Sequence, residues 1–396
     1  MGKGMRWMVM LLAGLVIASS AEAVEPLRIG ATVSETGHFA TEVGPFRALF
    51  QAWAHGVNQS GGIRVGKDRR PLEVVVYDDR SDEATARRMY ERLAVVNQVH
   101  LMIGPYSSPL TFAASTAAET HGIPFVAVCA NSPKIYSRGY RWIVCVIDEA
   151  PRYTHRYWEM IRAEGKARTV SFVVEDTLHP KGVHQGASAL AESSGLRVLA
   201  SRIAPPDCRD FSSVLSELQR LDPDIVFISS NIPFAVQFMG QAREAGLCPR
   251  EFHAIHHSGI FRRSLGPGAE YVTGQSYWTP GMTLGQHERF QEILGQSGID
   301  LGDYPWAPAY MVAFEVVEAA AARSETADPD ILIKAMHEGE IETIGGPVRF
   351  RPDGVGSINT YPSQILNGRY EMVWPPDKAT SRHVYPSAGS RKSVSP

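Results

Sequence analysis

Gly104-Pro105-Tyr106-Ser107-Ser108 is the stretch whose residue types point most directly to binding chemistry. It follows the short apolar run Val99 to Ile103 and leads into a helical pattern. Free backbone N–H groups and two hydroxyls then collect at a helix start, an uncharged site suited to a carboxylate. An ordinary serine N-cap explains the same residues, since serine is favoured there in any case. His253, His256 and His257 invite a metal reading. Their segment reads as strand running into loop, so alternation puts 253 and 257 on one face and 256 on the other. A cleft-lining or solvated histidine is therefore expected, and no metal. Phe39, Tyr106 and Trp306 can floor an apolar pocket, with core packing the alternative for Trp306.

Catalytic patterns are missing. There is no GxSxG nucleophile motif, and neither a GxxxxGKS/T nor a GxGxxG phosphate loop. Gly61-Gly62 and Gly345-Gly346 read as turns, the first as a helix stop. Asp78-Asp79 is explained by a strand-end turn. Neither an enzyme nor a cofactor is expected. Cys129, Cys145, Cys208 and Cys248 allow three pairings, and none of their spacings has the CxxC form of a zinc site. Structural disulfides or buried thiols are expected, with the pairing left open.

These residues need a scaffold, and the chain supplies an alternating one. Leu27 to Val33, Leu72 to Tyr77, Val99 to Ile103 and Ile123 to Val128 read as strands. Between the first two lies a helical stripe of Phe46, Leu49, Phe50, Trp53 and Val57. Ala86, Met89, Tyr90 and Leu93 form another, capped by Ser81 or Asp82. The rhythm restarts with strands at 170–174, 196–203, 224–229 and 251–256, separated by helices. Repeated βαβ units predict parallel sheets covered by helices on both faces. The break near Asp148 to Pro151 predicts two Rossmann-like α/β lobes. Lobe 1 is expected over 24–148 plus about 276–345, and lobe 2 over 149–275 plus about 346–375. Pro308 to Ala322 reads as a buried helix, and Val348 to Phe350 and Gln364 to Leu366 as short strands. Residues 376–396 are rich in Pro, Ser and charge, predicting a loosely ordered tail.

Residues 1–23 read as a signal peptide: Lys3 and Arg6, an apolar run from Met8 to Ala18, then Ala21-Glu22-Ala23. A periplasmic protein, of Gram-negative type, is expected. About 370 residues remain, more than one core usually serves. Removing two cations (Lys3, Arg6) and one anion (Glu22) from a net charge of -3 leaves -4, which gives nucleic acid and anionic lipid no electrostatic hold. Ligands of open α/β sheets sit beyond the C-terminal strand ends, so the loops after Val33, Tyr77, Ile103, Val128, Val174, Ser229 and His256 are the places to look.

Several segments in order resemble the type I periplasmic binding proteins of the branched-chain amino acid group. They are Ser34-Glu35-Thr36-Gly37 with Gly44, Asn58 to Ile63, Tyr77-Asp78-Asp79, Gly104 to Ser108, Val128 to Pro133 running on to Tyr140, and Gln241 to Leu247. The resemblance implies two lobes joined by three crossovers, a solute in the cleft, hinge closure, and delivery to an ABC permease by a monomer. A sensory or accessory protein of the same fold is the alternative, and a secreted enzyme a more distant one. Ser108, beside Tyr106 and Ser107, matches the family serine that binds the ligand carboxylate. Asn131 falls where the family has a threonine, and Cys129 where a backbone carbonyl receives the ammonium, with Ala130 between them. Asn231 falls where an aromatic often closes the pocket, and Glu42 or Val43 where a tyrosine often caps the ligand. His256 falls near the acid that pairs with the ammonium. The carboxylate end is thus kept and the ammonium end largely lost, unless Glu35 or Asp176 supplies the charge. A buried ammonium without a carboxylate costs several kcal/mol. The expected solute is a carboxylic acid, an amide or another small polar molecule without that cation.

Overall fold

In the computed structural model, which describes residues 24–279, 282, 287–388 and 390, Phe46, Leu49, Phe50, Trp53 and Val57 turn one face of the helix Phe46–Gln59 into the core. Trp53 stacks on Phe314 with ring centroids 4.2 Å apart, and its indole N–H donates to Glu318 at 2.7 Å. The helix stops because Gly62 takes a φ of +94°, where a side chain would collide with the Arg70 carbonyl. The apolar runs become the strands β1 (Leu27–Val33), β2 (Ile63–Val65), β3 (Asp68–Arg70), β4 (Leu72–Asp78), β5 (Leu101–Ile103), β6 (Phe125–Ala127) and β7 (Ile143–Ile147). The second half adds β8 (Thr169–Glu175), β9 (Arg197–Ala204), β10 (Ile225–Ser229), β11 (Glu251–His256) and β12 (Thr273–Ser276). Three more strands close the series: β13 (Val355–Ile358), β14 (Tyr361–Leu366) and β15 (Arg369–Met372).

They form two sheets and a small β2-β3 hairpin. The first sheet is all parallel, in the order β13-β7-β6-β5-β1-β4. The second runs β15-β14-β12-β11-β10-β8-β9, with only β14 and β15 antiparallel to their neighbours. Each sheet carries its own covering helices, giving the two expected α/β lobes. Strands β8, β10 and β11 are buried along their whole length, as a strand covered on both faces must be.

The chain crosses between lobes after β7, after β12 and after β13. The third crossing differs from the expected boundary near 345. Val355 and Ile358 register with Cys145 and Ile147, so residues 355–358 extend the first sheet, not the second. Val348 makes only an isolated bridge to Ile341, so Val348–Phe350 is not a strand. Thr360, in the two-residue third crossing, joins all three. Its hydroxyl donates to the carbonyl of Tyr153 in the first crossing at 2.6 Å. It also lies 3.0 Å from Oε1 of Gln275, which precedes the second.

The stretch past Pro375 also departs from its composition. His383 is buried between Glu251 (2.7 Å) and Glu164 (3.1 Å), and Val384 and Ser387 donate backbone N–H groups to Gln364 and Arg250. The described part of the tail is thus a strap along the second lobe. All four cysteines are free thiols. No helix among the described residues is long and apolar enough to cross a membrane. The expected signal peptide, 1–23, lies outside the described residues.

Candidate functional site

Between the lobes, at the C-terminal strand ends, lies a cavity of about 480 Å³, part of it open to solvent. Most of the loops that line it follow strands, as the topology of open α/β sheets requires. Phe39 comes from the loop after β1, Tyr106 to Pro109 from that after β5, and Cys129 from that after β6. Ile147 ends β7. From the second lobe come Thr177, His179 and Pro180 after β8, Asn231 after β10, and His256 at the end of β11. Tyr153 and Tyr277 stand in two of the crossings, and Trp306 at the start of the helix Ala307–Arg323.

The first-lobe loops are held by their own sequence. Asp79 accepts hydrogen bonds from Thr32 and Ser34, both at 2.6 Å, and from the Ser81 N–H at 2.9 Å. Ser81 in turn accepts from the N–H of Phe39 at 3.0 Å, so the acidic turn fixes the ring that lines the cavity. Ser107 is the N-cap of the helix Ser108–His121, accepting from Leu110 N–H. The Ser108 hydroxyl accepts from the Ser132 N–H at 3.3 Å, which leaves its own proton free for a ligand. Phe39, Tyr106 and Trp306 form a chain of rings, with successive centroids 5.9 and 6.0 Å apart.

The expected residues are sorted by this geometry. Phe39, Tyr106, Ser107, Ser108, Cys129, Asn231 and His256 all reach the cavity. Ala130 and Asn131 do not line it. The Ala130 carbonyl accepts from the Tyr136 hydroxyl at 2.5 Å, and the Asn131 amide donates to the Asp148 carbonyl at 2.7 Å. The other end of that amide lies 2.7 Å from His179 Nδ1, across the cleft. Asn231 is turned towards Glu175, which accepts from both its backbone and side-chain N–H groups at 2.8 Å. The three histidines separate as alternation requires. His253 stacks on Phe227 in the core, His257 lies 3.2 Å from the Ser363 carbonyl, and only His256 lines the cavity.

Residue type alone does not single out Tyr153, Thr177, His179 or Tyr277, which also line the cavity. The end of β8 does carry a topological signal, and just beyond it Thr177 is the N-cap of the helix Leu178–Ser193, whose first turn holds His179. Nothing in the sequence marks the two tyrosines, because they sit in crossings and not at strand ends.

Among the described residues, no carboxylate, ammonium or guanidinium lines the cavity. Burial pushes the pKa of His179 down to about 4 and that of His256 down to about 3, so both rings are neutral. Glu35 is paired with Arg47, and Asp176 with Lys181, both away from the cavity. Two acids lie one layer behind the wall. Glu175 is fully buried against Asn231, with His38 at 3.8 Å. Glu42, also fully buried, accepts from the Ile232 N–H at 3.1 Å, at the start of the helix Ile232–Glu244 of the other lobe. Glu42 to Ile232, His38 to Glu175 and Asn131 to His179 all join one lobe to the other.

A family model, the periplasmic binding proteins, matches residues 26–369. The leucine-, isoleucine-, valine-, threonine- and alanine-binding protein of Pseudomonas aeruginosa is 25% identical over 368 residues, covering 89% of this chain and 94% of its own length. Among solved structures, the substrate binding protein LivJ of Streptococcus pneumoniae, in complex with isoleucine, superposes with a TM-score of 0.77 at 18% identity, covering 91% of this chain and 100% of that one. A solute binding protein of R. palustris, in complex with benzoate, gives 0.74 at 16% identity, covering 92% and 98%. Two hinged α/β lobes, the cavity at their strand ends and the match over most of the sequence agree: the chain belongs to the periplasmic binding protein family, in the type I group of the leucine/isoleucine/valine-binding proteins.

Proposed function

We propose that the protein is the periplasmic solute-binding component of an ABC-type importer, and that its solute is a small carboxylate-bearing or neutral polar molecule without an ammonium group. The observation that carries the ligand reading is the uncharged wall of the cavity. A carboxylate can rest against the Ser108 hydroxyl at the start of the helix Ser108–His121, where the helix dipole fixes partial positive charge, although Pro109 has no N–H and that of Leu110 is taken by Ser107. An α-amino acid would have to bury its ammonium without a counter-ion, at a cost of several kcal/mol. Relatives of known ligand span both chemistries, since one structural neighbour holds isoleucine and another benzoate.

Closure follows from the same geometry. A solute held by Ser108 on one lobe and by the second-lobe residues on the other draws the lobes together. The cross-cleft bonds of Asn131 and Glu42 then form, and a membrane permease reads the closed shape. Isothermal titration of the protein from Val24 onward against leucine, isoleucine, valine and a panel of organic acids tests the reading. The amino acids are expected not to bind, and micromolar affinity for any of the three overturns it.

A further inference from the structure

His179 and His256 line the cavity from the second lobe with their rings parallel to within 5° and 5.2 Å between centroids. Each is 8% exposed, and each has a buried ring nitrogen, His179 Nε2 and His256 Nδ1, with no hydrogen-bond partner among the described residues. The protonation of His179 is set by its neighbours. The Asp148 carbonyl can only accept, so the amide end of Asn131 that meets it must be the NH₂, and the end facing His179 Nδ1 must be oxygen. Nδ1 therefore carries the proton. In a neutral ring Nε2 is then a bare acceptor, its lone pair buried and unanswered. An unanswered buried acceptor costs about 1–3 kcal/mol, which a ligand donor would recover.

We propose that the solute is a hydroxylated aromatic carboxylate whose phenolic O–H donates to His179 Nε2 while its carboxylate rests at Ser108. A hydroxyl fits better than another donor because it also accepts, and His256 offers a second open nitrogen whose tautomer nothing fixes. The wall between them is largely aromatic, formed by Phe39, Tyr106, Tyr153, Tyr277 and Trp306, and gives an aromatic ring faces and edges to pack on. The donor end belongs to the second lobe and the carboxylate end to the first, so one rigid molecule spans the cleft. This rests on the reading of an ammonium-free solute given above.

The test is calorimetric titration of the whole mature protein with 3- and 4-hydroxybenzoate, benzoate, 4-fluorobenzoate and leucine. The tighter hydroxybenzoate is expected to bind roughly ten- to hundred-fold more tightly than benzoate or its fluoro analogue. His179→Phe keeps a ring and removes the acceptor. With its melting profile checked, it should bring that ratio close to one. Equal binding of benzoate and the hydroxybenzoates by the unaltered protein, or no binding of either hydroxybenzoate, overturns the inference and leaves the ammonium-free reading standing. Leucine binding overturns both.

Discussion

Replacing His383 by alanine should destabilise the second lobe by about 3 kcal/mol through the lost ion pair, and that loss should shrink at high pH. His383 is 1% exposed in its side chain and meets the fully buried Glu251 at 2.7 Å and Glu164 at 3.1 Å. Burial alone would lower its pKa. The charge of Glu251, and hydrogen bonds to Glu164 and Glu251, outweigh burial and raise it from 6.5 to about 9. At ~1.4 kcal/mol per pKa unit, that rise is worth roughly 3 kcal/mol. Removing one partner of a buried ion pair costs about 3–5 kcal/mol, which agrees. Tyr157 and Thr273 still donate to Glu251 at 2.5 and 2.8 Å, which places the cost near the lower figure. For a unit of this size, roughly 2–4 °C is lost per kcal/mol, so the second-lobe transition should fall by about 6–12 °C at pH 6.5. Because the folded pKa is the higher one, the contribution is complete below pH 6.5 and fades as pH rises through about 9. Scanning calorimetry of both proteins at pH 6.5, 8 and 9.5 reads it. A shift below ~2 °C at pH 6.5, or one that does not shrink by pH 9.5, would refute the buried pair as the clasp of the strap.

Ser108→Ala should weaken binding of a carboxylate solute by roughly ten-fold or more, the worth of a hydrogen bond to a charged group, measured by titration calorimetry on protein whose melting profile shows it folded, since the Ser132 N–H also loses its acceptor. Asn131→Ala removes the cross-cleft partner of His179 and should shorten the lifetime of the closed complex, seen as a faster release rate in stopped-flow fluorescence of Trp306. Burial raises Glu42 to about 7 in the closed form. Its contribution to closure is therefore fully present below the ordinary value near 4.5 and lost as pH rises through about 7. Glu42→Gln, which still accepts from Ile232, should flatten that decline in binding affinity between pH 6.5 and 8. His179 and His256 titrate below that window, but the hydrogen bond to Glu175 and the charges of Glu175 and Glu42 raise His38 above 6.5. His38→Gln is therefore titrated beside Glu42→Gln, and the decline belongs to Glu42 only if it persists in His38→Gln.

The parts of the fold that show in the sequence are those whose periodicity is strong. The helix Phe46–Gln59 and the strands β1, β8, β10 and β11 bury long apolar stripes or runs, and these have no other stable arrangement. Because those strands are legible, so are their ends, and the loops bearing Phe39, Ser107, Ser108, Asn231 and His256 follow by topology. The third crossing does not show. β12 reads Thr-Gly-Gln-Ser, a polar strand held by buried hydrogen bonds, and β13 has only four residues. Neither carries an apolar period. The strap fails for a different reason. His383 finds its acids 132 and 219 residues away, and no local composition records such a partner. Asn131 shows the limit of residue-by-residue carry-over: the resemblance implies a ligand-binding role, yet its amide is bonded to the Asp148 carbonyl and to His179.

The distribution of charge gives the site its logic. Glu42 and Glu175 both come within one side chain of the cavity, and either would neutralise an ammonium if it faced inward. Instead Glu175 is bonded to Asn231, and Glu42 to the first turn of a helix on the opposite lobe. Both acids thus act on the lobe interface and leave the wall neutral. In a low-dielectric cleft, a neutral wall rejects an uncompensated cation far more strongly than it loses by lacking contacts to one. On the proposed reading, selectivity against amino acids comes from where these carboxylates point, not from their absence. The same placement predicts proton uptake at Glu42 on closure, since its carboxylate is fully buried where it meets the opposite lobe.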